Sequence, residues 1–150
     1  MAIKKATIVE TCCTLLVLLF LYTASSKLLN LRQTYHEMNI QPFPNWMTPY
    51  LVWGISIMEF CAAVLLIFNR TKKTGLWTSL ILMIGFTIYI AAILLDFFDK
   101  VPCSCGGVIA QLGWQNHLYF NMFFVAVSII GIILSRKKDN SPEMQKVVFT

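Results

Sequence analysis

Four apolar stretches, residues 7–29, 47–68, 75–97 and 117–134, decide what this chain can become. Each holds about 18 to 23 residues, and a helix of that length crosses about 30 Å of hydrocarbon. Their apolar residues run on almost without interruption, so no face is reserved for water. Within lipid a backbone must satisfy its own hydrogen bonds, as a helix or a closed barrel. A barrel would alternate apolar and polar residues, and these stretches do not. The expected fold is an all-α membrane protein, a four-transmembrane-helix bundle, with residues 1–134 as its only domain. Residues 135–150 read as a charged, mostly disordered tail. Charged residues make up 13% of the chain, about half the share usual in a soluble domain.

The net charge of +5 is distributed as a topology signal, not as a nucleic-acid-binding surface. Lys4 and Lys5 precede the first stretch, Arg70, Lys72 and Lys73 fill the second loop, and Arg136, Lys137 and Lys138 follow the last stretch. The other two connections hold only Lys27, Arg32 and Lys100. By the positive-inside rule both termini and the second loop are cytoplasmic, and the first and third loops face outward. "MAIKK" and "YTASS" could also be read as a cleaved signal peptide. The first stretch is long for that role and carries Glu10, Cys12 and Cys13, so it is read as a retained span.

The first outer loop, "NLRQTYHEMNIQPFPNWM", begins amphipathic and then meets two prolines that stop any helix. Trp46 and Tyr50 follow, where an interfacial aromatic belt is expected. The third loop, "DFFDKVPCSCGGVIAQLGWQN", is the longest connection, with Phe97, Phe98 and Trp114 expected at the interface and Asp96 marking its start. It holds Cys103 and Cys105. A disulfide between residues i and i+2 needs a turned backbone, because an extended strand sends the two side chains to opposite faces. Pro102, Gly106 and Gly107 supply that turn. So small a ring gains little from cross-linking, and a strained, exposed disulfide is a labile, exchange-prone one. Two other readings stand beside redox chemistry: inert bracing of the loop, or a Cu(I) site formed with His117. Zinc would need a fourth donor, and no metal is assigned.

Cys12, Cys13 and Cys61 read as small apolar packing residues, although Cys12 and Cys13 could form a second thiol pair. Glu59 is the costliest residue in the chain, since it falls well inside the second stretch. Lys27 is the intramembrane cation available to it, and their pairing would be structural or part of a proton or quinone site. His117 and Asn121 are four apart and share a helix face just after the cysteine loop. There His117 could stabilise a thiolate or take its proton, or simply make an interfacial hydrogen bond. Gly54, Gly85 and Gly131 are expected where helices pack closely. No phosphate loop, HExxH pattern or soluble catalytic domain is present, so any chemistry falls to the bundle and its outer loops.

"YTASSKLL", Glu59, the Cys-x-Cys loop, "GWQNHLYFN" and the final apolar stretch, in that order, resemble the MauE branch of the DoxX-like membrane proteins over residues 8–134. The resemblance implies a four-helix protein of the bacterial-type cytoplasmic (inner) membrane, with the cysteine loop on the periplasmic side. Its namesake is associated with maturation of the disulfide-rich methylamine dehydrogenase subunit, alongside a thioredoxin-like partner. It also implies a redox role for Cys103 and Cys105 and sets Lys27, Glu59 and Asn121 among the family's polar bundle positions. Where members often read Cys-x-Cys-Phe-Gly, this chain has Gly106 and Gly107. The functional expectation is a thiol–disulfide relay, a possible oxidoreductase component, exchanging electrons with a thioredoxin-like protein during maturation of exported proteins. The bundle would link it to a quinone or a second thiol pair. The alternatives are a non-catalytic scaffold or assembly factor, and a Cu(I)-handling protein.

Overall fold

The structure, a computed structural model, describes residues 2–95, 97 and 113–139. Among the described residues five α-helices carry the fold: α1 (Ala2–Leu29), α2 (Leu31–Asn39), α3 (Thr48–Ile67), α4 (Lys72–Leu94) and α5 (Gly113–Asp139). A short 3₁₀ turn, Asn45–Met47, leads into α3. Four of these helices are long and apolar enough to cross a membrane, over Lys5–Leu29, Asn45–Ile67, Lys72–Leu94 and Gly113–Ser135. The all-α, four-span expectation therefore holds, with shifted boundaries. α4 starts at Lys72 and α5 at Gly113, because the flanking polar residues complete helical turns whose backbone bonds would otherwise be open. Gly113 begins α5 at φ +68°, a left-handed conformation that only glycine adopts without strain. α5 continues to Asp139, so the first residues of the charged tail are helical.

The spans follow one another around a ring: α1 packs on α3, α3 on α4, α4 on α5, and α5 back on α1. Within each 18-residue window only 28–33% is buried inside the protein. The remainder carries large exposed side chains such as Leu18, Phe60, Ile81, Ile88 and Ile133, which only a lipid environment accommodates at this density. Trp46 and Tyr50 are 70% and 73% exposed at the start of α3, as an interfacial belt requires. Buried hydroxyls do not disturb the spans. Those of Ser56, Ser79 and Ser128 each donate to the carbonyl four residues earlier, at 2.7–2.9 Å.

The apolar core fills the half of the bundle nearest the α3–α4 turn and includes Leu16, Phe20, Leu66, Leu76, Phe124 and Val127. At that end the Lys72 ammonium donates to the Glu10 carboxylate at 2.6 Å, tying α4 to α1. The turn itself is held by Thr71, whose hydroxyl donates to the Leu65 carbonyl at 2.9 Å and satisfies an open helix end.

Of the three glycines expected at close contacts, only Gly131 is at one. A Cβ there would lie 2.8 Å from the Leu76 side chain. Gly54 and Gly85 correct that expectation, since a Cβ at either would meet nothing within 4 Å. An equally close approach, against backbone instead of side chain, is at Gly75, where a Cβ would come within 2.8 Å of the Leu66 backbone nitrogen. The four-residue connection between α3 and α4 forces their backbones together there, and sequence spacing alone gave no sign of it.

Gly75→Ala should therefore lower unfolding free energy by about 1–3 kcal/mol, the usual penalty for overpacking against atoms that cannot rotate away. Gly54→Ala should leave it unchanged or raise it by up to about 1 kcal/mol through helix propensity. Thermal or denaturant unfolding of the two variants in micelles checks both signs.

Candidate functional site

Lys27 lies near the C-terminal end of α1 and Glu59 in the second half of α3, and the packing of α1 on α3 brings them together. The Lys27 ammonium donates to both carboxylate oxygens of Glu59, at 2.8 and 3.0 Å. The residues are 6% and 2% exposed, so the pair is withdrawn from lipid and water alike. A lysine this near a helix end would ordinarily extend its stem toward the interface. Here it turns inward, because an unpaired Glu59 at this depth would cost several kcal/mol. Thr34 of α2 donates its hydroxyl to the Lys27 carbonyl at 3.2 Å and closes the helix end above the pair.

Beside the pair is a cavity of about 340 Å³, walled by all four spans and by the segment that follows α2. Its surface is almost wholly apolar, with Phe20, Phe86 and Phe120 among the walls. Lys27, Glu59, His117 and Asn121 border the same space. His117 and Asn121 come from the first turns of α5 and are 5% and 3% exposed. The side-chain nitrogen of Asn121 is buried with no hydrogen-bond partner among the described residues. A buried amide donor left open in this way costs about 1–3 kcal/mol.

The segment after α2 roofs the cavity. The Tyr89 hydroxyl of α4 donates to the Gln41 side-chain oxygen. Phe43 stacks on the Tyr89 ring with centroids 5.7 Å apart, and Trp114 meets its edge at 6.5 Å. Thr48 donates to the Asn39 side-chain oxygen at 2.6 Å, and the Trp53 indole donates to Tyr35 at 3.1 Å. Thus the amphipathic start of the segment between the first two spans is a helix tied across one end of the bundle.

The structure therefore gathers four of the residues singled out in the sequence, Lys27, Glu59, His117 and Asn121, around one space. Cys103 and Cys105, with Asp96, Phe98, Gly106 and Gly107, lie outside the described residues. The ends that their segment joins, Leu94 of α4 and Gly113 of α5, are at the same end of the bundle as the cavity. Cys12 and Cys13 are free thiols buried in the apolar core, and Cys61 is a free thiol on the exposed surface of α3. Among the described residues, no three His, Cys, Asp or Glu side chains gather as a metal site. Gln41 and Tyr89 escaped the sequence reading. A glutamine before a proline and a tyrosine in an apolar run gain meaning only once the loop is folded over α4.

A family model described as "Methylamine utilisation protein MauE" matches residues 5–134, which covers the four spans and the cysteine loop. Comparison with curated proteins and with solved structures gave no match.

Lys27→Met should destabilise the protein by about 3–5 kcal/mol, because it strands a buried carboxylate. The double variant Lys27→Met/Glu59→Met should recover most of that loss, since neither charge then remains in the apolar interior. Unfolding of the single and double variants in micelles gives the coupling directly.

Proposed function

The chain belongs to the MauE family, and we propose that it is a membrane thiol–disulfide relay whose exchanging pair is Cys103 and Cys105. The observation that carries the reading is the Cys-Ser-Cys sequence within the family-matched region, in the segment joining α4 to α5. Support for a functional loop comes from what stands beneath its anchors: a buried ion pair, a histidine and an open amide donor around a cavity, where a passive bundle would place aliphatic side chains.

In the exchange, a thiolate of a thioredoxin-like partner attacks one sulfur of the Cys103–Cys105 disulfide. The second sulfur leaves as a thiolate, and a mixed disulfide joins the two proteins. The partner's second thiol then resolves it, leaving the partner oxidised and the loop as a dithiol, with two electrons transferred. His117, in the first turns of α5, is the proposed proton acceptor for the loop thiols. The proposed setting is the inner membrane, with the loop on the periplasmic side. The gathering of Lys5, Arg70, Lys72 and Lys73 at the opposite end supports that orientation.

Substitution Cys105→Ser should trap a mixed disulfide on Cys103 with a thioredoxin-like protein, visible as a reducible band in membranes. Alkylation across glutathione ratios should give a reversible two-electron transition at roughly −120 to −270 mV, the range of exchange-active pairs. Absence of an adduct from either single variant, together with a pair that stays oxidised below about −300 mV, would favour the bracing role of an assembly factor.

A further inference from the structure

We propose that the cavity between the four spans is a binding site for the ring of a quinone-class molecule. The walls select the first property of the occupant. Phe20, Phe86 and Phe120 beside aliphatic side chains favour a flat apolar body that partitions into the bilayer. About 340 Å³ lies at the small end of ligand cavities and suits a ring, not a folded chain.

The polar groups select the rest. The unpartnered side-chain nitrogen of Asn121 needs an acceptor, and none is found among the described residues. Lys27 carries three donors, of which two go to the Glu59 oxygens. The fixed groups on the α1 and α5 sides thus offer hydrogens to an occupant. Since Lys27 and Glu59 cancel, that occupant is best uncharged. A neutral, flat molecule with acceptor oxygens and no donors is the description of a quinone.

Gly85 stands where the space opens to the outside of the bundle, since it lines the cavity and is itself exposed. It lies within the apolar body of α4 and on the cavity wall, and a Cβ there would meet nothing within 4 Å. Glycine at such a position weakens a helix relative to alanine.

The site itself stands on the cavity, while its role as electron acceptor rests on the relay reading above. In that role, oxidation of the Cys103–Cys105 dithiol to a disulfide releases two electrons and two protons. One quinone takes up both pairs and leaves as the hydroquinone.

The test is titration of the purified full-length protein, in micelles, with ubiquinone-1 and with menadione, read by quenching of tryptophan fluorescence. Trp114 packs against Tyr89 on the cavity wall and is placed to report. Saturable quenching is expected for at least one quinone. Asn121→Leu should weaken it about three- to tenfold, the worth of one hydrogen bond, while thermal stability stays level or rises because an open donor is removed. Gly85→Leu, at the open side of the space, should obstruct entry and weaken binding with the fold intact. Gly54→Leu, equally open but away from the cavity, should bind as the parent does. The Cys103→Ser/Cys105→Ser protein should bind normally, so loss of the relay and loss of this site are separable. No saturable quenching by either quinone, equal affinity across parent, Asn121→Leu and Gly85→Leu, or saturation by oleate alone would overturn the proposal.

Discussion

The Lys27–Glu59 pair is the interaction on which the arrangement of this bundle depends. A carboxylate in the second half of α3 is costly against lipid unless it is neutralised, and here a cation from another helix faces it. That requirement fixes the rotation of α1 and α3 about their axes. Ridges of leucine and isoleucine alone would leave the rotation weakly determined, because lipid is as apolar as the side chains it competes with. With the pair set, Cys12, Leu16 and Phe20 of α1 turn into the core, and Leu18 and Tyr22 turn out.

The same pair divides the protein along its length. Toward the α3–α4 turn the interior is dry and closely packed, to the point that Gly75 meets the Leu66 backbone. Toward α2 the interior opens into a cavity bordered by buried polar groups. One half is built to hold the helices together. The other keeps space and unsatisfied hydrogen-bonding capacity, which natural interiors seldom retain without a use for it.

The roof over that second half also ties α4 to α5. Gln41 and Phe43 grip Tyr89, Tyr89 meets Trp114, and Trp114 begins the helix that carries His117 and Asn121. The segment bearing Cys103 and Cys105 is anchored in this network at Leu94 and Gly113. The helix ends that this segment joins and the hydrogen-bonding cavity are therefore neighbours by topology.

Much of this was legible in the residues. Run length and continuous apolarity specified four spans, because the hydrocarbon thickness is a physical ruler that any crossing helix must match. The expense of burying Glu59, and the lack of any other nearby cation, pointed to Lys27 before a distance was known. The roles of the glycines were not legible. Whether glycine marks a contact or a void depends on what lies across from it, so Gly54, Gly85 and Gly131 look alike in sequence and differ in space. Nor could the sequence seat Gln41 on Tyr89, 48 residues apart, or place Lys27, Glu59, His117 and Asn121 around one cavity. Composition and periodicity settle how each segment meets its solvent, since that is a local property of the chain. Only tertiary structure decides which polar groups meet inside, because helices apolar on every face can be rotated until a buried charge selects one packing.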